Sequence, residues 1–172
     1  MRKNIAKPKH HPIVEKWLQQ HHAIINPPIS AKVQFNFRPN KLAHRQYRIL
    51  SAIFFAIDER GISIHPHAWR LFYFKSDNIY VPAYIYPSKQ QPPNTRADMA
   101  KLEFLLLNHQ LGVRETWTEE DAPLEDQLEA IAAGIQEFIQ TVAGLIAKAQ
   151  EWQLEQRILA LQRELETIRS AE

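Results

Sequence analysis

The chain reads as an α+β protein: a mostly antiparallel sheet of about five or six strands packed by helices, with a long C-terminal helix that projects or mediates association. Three patterns predict it. Residues 41–59 repeat apolar side chains at helical spacing. Residues 62–118 break into short alternating or apolar runs separated by turn-forming residues, as an antiparallel meander does. The last fifty residues carry an apolar seam on alternating steps of four and three, which changes face partway along.

Residues 1–10 are basic and polar and are expected to form a flexible tail. Pro12 suits the first turn of a helix whose stripe is Ile13, Trp17, Leu18 and Ile24, ended by Asn26-Pro27-Pro28. Val33, Phe35 and Phe37 alternate with polar residues and suggest a half-buried strand. After Pro39-Asn40 a helix is expected from Lys41 to Glu59. Its core face is Ala43, Tyr47, Leu50, Phe54 and Ile57, widened by Ile49 and Ile53, with Gly61 placed for a left-handed C-cap.

Strands are expected at Ile62 to His65, Arg70 to Lys75 and Asn78 to Tyr86, the last two joined through Ser76-Asp77-Asn78. Pro82 and Pro87 predict that the third of these is short or lies at an edge. Gln90 to Asn94 is a polar, proline-containing loop. Leu102 to Leu107, apolar on both faces, belongs at the centre of the sheet, and Val113 to Thr118 returns as the last strand. Asp121 is placed to cap the terminal helix, with Pro123 in its first turn.

That helix carries Leu124, Leu128, Ile131, Ile135, Phe138, Val142, Leu145, Ala149 and Trp152 on one face. A second seam follows through Leu154, Ile158, Leu161, Leu165 and Ile168. At about 100° per residue, Leu154 stands roughly 200° around the axis from Trp152. Unbroken, the helix spans roughly 70 Å, twice the roughly 35 Å of a compact body of this size. Its second half must therefore project, fold back or meet another chain, and Trp152 is where it is expected to leave the body. The expected organisation is a tail (1–10), an α+β domain (11–152) and a projecting helical segment (153–172). Gly134 and Gly144 each cost this helix about 1 kcal/mol relative to alanine, so close packing is expected on their side.

Composition removes several classes. The absence of cysteine excludes a disulfide framework and thiolate metal sites. No stretch approaches the roughly 20 apolar residues of a membrane span, and the start lacks the apolar core of a signal peptide. A cytoplasmic protein without membrane attachment is expected. Four glycines, at 61, 112, 134 and 144, make no phosphate-cradling loop, and Ser51 and Ser63 have no elbow glycines for nucleophilic catalysis. His65 and His67 share a strand face, but Pro66 separates them and no third ligand is placed, so neither a metal nor a cofactor is expected.

Charge is polarised. The first fifty residues carry Arg2, Lys3, Lys7, Lys9, Lys16, Lys32, Arg38, Lys41, Arg45 and Arg48 against Glu15 alone, whereas acidic residues crowd the last third. Arg38, Lys41, Arg45 and Arg48, with His44, form a basic helix face suited to nonspecific phosphate contact, and Tyr73, Tyr80, Tyr84 and Tyr86 offer stacking surfaces.

Three segments form a recognisable set: His11-Pro12-Ile13-Val14; His44 to Ala52 continuing to Asp58-Glu59-Arg60-Gly61; and Arg114 to Thr118 followed by Leu124-Glu125-Asp126-Gln127-Leu128. In this order and spacing, over roughly residues 11–155, they resemble the C-terminal region of a poorly characterised family of bacterial proteins. In that family a helix-turn-helix-like segment precedes this region; here only a short basic tail stands before it. The motifs are structural and carry no catalytic residues over, and the resemblance implies a DNA-associated setting. The leading expectation is a nonenzymatic interaction and oligomerisation module in a nucleic-acid-associated bacterial assembly, joined to itself or a partner protein through Leu154, Ile158, Leu161, Leu165 and Ile168. The alternatives are a metal-dependent nuclease using Asp98, Glu103 and Lys101, and a protein-binding adaptor or inhibitor that uses the sheet's tyrosines.

Overall fold

A computed structural model describes residues 10–25, 41–68, 71–89 and 100–171. The expected strand at Val33 to Phe37, the loop at Gln90 to Asn94, the Asn26-Pro27-Pro28 stop and nearly all of the basic tail lie outside the described residues. Helices α1 (Pro12–Ile25) and α2 (Lys41–Asp58) precede a meander of β1 (Ser63–Ala68), β2 (Leu71–Ser76), β3 (Ile79–Pro87), β4 (Leu102–Asn108) and β5 (Val113–Thr118). A 3₁₀ turn (Leu124–Asp126) leads into α3 (Leu128–Ala171). The five strands lie in chain order, each antiparallel to its neighbours.

Alternation along the strands sends Phe72, Phe74, Val81, Ala83, Ile85, Leu102, Phe104 and Leu106 to one face, all fully buried. Onto that face pack the apolar stripe of α2, the first half of α3 (Ile131, Ile135, Phe138, Val142) and, through Val14 and Trp17, helix α1. The end of α2 closes as its sequence suggests. Gly61 takes φ 72°, its N–H donates to Asp58 O, and Ile62 N–H donates to Ile57 O, the paired bonds of a Schellman cap.

Three expectations are corrected. First, β3 is neither short nor at an edge; it has nine residues and lies third of five. Its prolines are tolerated because the ladders are staggered. Pro82 is in register only with Tyr73 of β2, and Pro87 only with Leu102 of β4, so each stands beyond the end of the paired ladder to its other neighbour. Second, Asp121 does not cap α3. The Leu124 N–H goes to the Glu119 carboxylate, and the Gln127 amide donates to Thr118 O and Ala122 O before the helix begins at Leu128. Third, the helix leaves the body earlier than Trp152. Ile146 is the last residue packed on the core, and every residue from 147 to 170 is exposed. The first half, from Leu128 to Ile146, covers roughly 28 Å of sheet at 1.5 Å per residue. Beyond it, Ala149 and Trp152 keep the spacing of the seam with no sheet beneath them.

By length and composition alone, α3 also contains a window apolar enough to cross a membrane, of which 39% is buried inside this structure. The helix's fully buried side chains, Ile131 to Val142, all lie in the half that packs on the sheet.

The two α3 glycines have opposite surroundings. A Cβ at Gly134 would overlap the Trp117 ring, whereas at Gly144 it would meet nothing within 4 Å. Gly134→Ala should therefore lose about 1–3 kcal/mol by forcing Trp117 aside. Gly144→Ala should gain up to about 1 kcal/mol from helix propensity alone. Urea unfolding of the two variants should show opposite signs; equal shifts would contradict the packing of Trp117 against this helix.

Candidate functional site

Among the described residues, the projecting half of α3 is the most exposed apolar feature. Leu154, Ile158, Leu161, Leu165 and Ile168 are 47% to 61% exposed, flanked by Trp152 at 61% and Leu159 at 45%. The five seam residues fall at alternating steps of four and three, so they line one side of a continuous helix. Scattered exposed leucines are unremarkable on a globular surface, but a stripe on a helix with solvent on every side has no packing of its own.

The basic face of α2 is less uniform than its sequence implies. Lys41, His44 and Arg48 are exposed, and Arg38 lies outside the described residues. Arg45 turns into the protein. Its Nε donates to Glu125 Oε1 at 2.8 Å, one terminal nitrogen donates to Glu125 Oε2 at 2.6 Å and to Glu119 Oε1, and the other donates to Glu119 Oε2 at 3.0 Å. Glu119, with a side chain only 6% exposed, also accepts the backbone N–H groups of Leu102 (2.7 Å) and Leu124 (2.8 Å). The hydrogen bonds that Arg45 donates to Glu125 raise the guanidinium pKa in spite of burial, and Arg45 in turn holds the Glu125 carboxyl below its ordinary range. Two carboxylates therefore neutralise this cation, which ties α2 to the β5–α3 connection.

A second surface is the sheet face opposite the core. Tyr73, Tyr84, Tyr86, Leu105 and Leu107 are half-buried there and Tyr80 is 49% exposed. The described helices pack on the other face. His65 stands edge-on to Tyr80 and His67 to Tyr73, with ring centroids 5.9 and 5.8 Å apart, and Lys75 Nζ lies 5.1 Å from the Tyr80 centroid. A shallow hollow of about 350 Å³ opens among Tyr84, Tyr86, Lys89, Leu105, Leu107 and His109. Of the three nuclease residues, Glu103 and Lys101 are described. Glu103 is half-buried on β4 and accepts a hydrogen bond from the Tyr86 phenol, whose pKa rises mainly through burial. Lys101 is exposed just before the strand, and Asp98 lies outside the described residues. Among the described residues no group of three histidine or carboxylate side chains is arranged to hold a metal ion.

Side-chain pairs within the recognisable segments went unread in the sequence. Ser51 Oγ accepts the His11 backbone N–H, and His11 Nε2 meets Asp58 Oδ2 at 2.8 Å. His11 Nδ1 accepts the Ile13 N–H at 3.3 Å, so the ring that caps α1 also holds it against α2. Serine, histidine and aspartate meet here, but the hydroxyl faces a backbone amide rather than the imidazole, so the arrangement is a clasp and not a nucleophile. The signal was present: His11, Ser51 and Asp58, like Arg45 and Glu125, all lie in the segments that carry the family resemblance. No protein-family model, no curated protein and no solved structure matches this chain.

Proposed function

We propose that the protein is a nonenzymatic interaction and oligomerisation module that associates, with itself or with a partner protein, through the projecting half of α3 in a nucleic-acid-associated bacterial assembly. The exposed apolar seam from Leu154 to Ile168 carries this reading. Fully burying one such side chain contributes about 1.5–3 kcal/mol, so covering even part of five of them outweighs any interaction this segment makes alone in water. Leu161→Glu with Leu165→Glu should lower the mass measured by light scattering while far-UV circular dichroism of the body stays unchanged. An unaltered mass would remove the association claim.

The nucleic-acid side of the proposal is supported by exposed Arg48 and His44 on α2 and by the tyrosines with Lys75 and Arg114 on the open sheet face. Together they offer cations for phosphates and rings for bases. The resemblance described above implies the same setting. Arg48→Glu, which leaves the Arg45 cluster in place, is the variant to compare for salt-dependent retention on DNA.

A further inference from the structure

We infer that the occupant of the α3 seam is a second copy of this chain, running antiparallel, with residues paired so that their numbers sum to 319. The inference rests on the association reading above and adds partner, direction and register. In heptad terms Ile158 and Leu165 occupy a, and Leu154, Leu161 and Ile168 occupy d. The flanking g positions hold Arg157 and Glu164, and the e positions hold Glu155, Gln162 and Arg169.

In an antiparallel pair, a packs on d of the other helix, and flanking contacts run g to g and e to e. At a sum of 319, Leu154 meets the partner's Leu165 and Ile158 meets the partner's Leu161. The flanks then set Arg157 beside the partner's Glu164, and Glu155 beside the partner's Arg169. Two-fold symmetry doubles each, so four opposite-charge contacts line the seam. A slip of one heptad in one direction brings Glu164 onto the partner's Glu164, and in the other direction Arg157 onto the partner's Arg157. A parallel pair keeps only Glu164 with the partner's Arg169, twice. No opposite charge stands three or four residues from Arg157 or Glu164 within the helix, so neither has an intrahelical ion pair there.

Because the chain has no cysteine, disulfide exchange can read direction directly. A tagged Leu154→Cys chain mixed with an untagged Leu165→Cys chain in glutathione buffer should yield the mixed disulfide as the main product. Homodisulfides of Leu154→Cys would mean a parallel pair and would overturn the inference while sparing the association reading; residues 154 and 165 would then lie about 16 Å apart along the axis. A wild-type protein of single-chain mass in light scattering, with neither disulfide, would overturn both. Charge reversal gives an independent check that leaves the core leucines intact. Arg157→Glu should weaken the dimer, and adding Glu164→Arg should restore it; failure of the second change to restore it would also overturn the register.

Discussion

Replacing Arg45 with methionine should cost about 3–5 kcal/mol of folding stability, the range expected when one partner of a buried ion pair is removed and the other left behind. The loss comes chiefly from Glu119. Its side chain is 6% exposed and accepts two backbone N–H groups in addition to Arg45, so it cannot move out to water without breaking the turn before α3. Methionine matches the aliphatic stem of arginine, so packing changes little and the charge effect is isolated. Urea unfolding at neutral pH measures the loss. Adding Glu119→Gln should recover part of it, since the amide oxygen still accepts one backbone N–H while the uncompensated charge is gone. A single substitution costing under about 1 kcal/mol would place the cluster among weak surface ion pairs.

Acid should narrow the difference. Arg45 keeps the Glu125 carboxyl pKa lower in the folded protein than in the unfolded chain. Such a group adds stability that is complete above the unfolded value and lost as pH falls through the folded one. The wild type therefore loses this contribution on acidification, and the Arg45→Met variant, which never had it, does not.

The reach of sequence reasoning follows from how local each signal is. The apolar face of α2 and its Gly61 cap are encoded within twenty residues and are where they were expected. That β4 lies inside the sheet was legible because its residues are apolar on both sides, with Leu105 and Leu107 half-buried even on the open face, although it is fourth of five and β3 takes the centre. Pro82 and Pro87 misled because tolerance for proline depends on where the ladder to each neighbouring strand ends, which belongs to register and not to the strand itself. Arg45 was placed on a basic face by helical spacing, which is accurate about direction along α2 but blind to Glu119 and Glu125, 74 and 80 residues downstream. The seam through Ala149 and Trp152 failed similarly: helical periodicity reports a face, and only the sheet decides how much of it is covered. Arg38 and Asp98 stand outside the described residues.

Phe54→Ala should be comparably severe, about 3–5 kcal/mol, because Phe54 is the ring on which three layers converge. It is fully buried, with its centroid 4.9 Å from Phe72 and 6.3 Å from Phe74 on the sheet, and 6.0 Å from Trp17 and 5.4 Å from His11 on the α1 side. A cavity there removes contacts from α1 and from the sheet at once, and neither can close it without abandoning the other. Helix α1 is the weaker partner, anchored by Val14, Trp17 and the His11 clasp, so it should loosen first. Hydrogen exchange should show protection lost across Pro12–Ile25 at denaturant concentrations that leave β2 and β3 protected. The neighbouring Phe55→Ala is the control. Phe55 is half-buried and meets His11 edge-on at 5.1 Å, with no sheet ring against it among the described residues, so its removal should cost less than half as much. Equal losses from the two rings, or a Phe54→Ala protein whose α1 stays as protected as the sheet, would mean that α1 is held by something other than this aromatic junction.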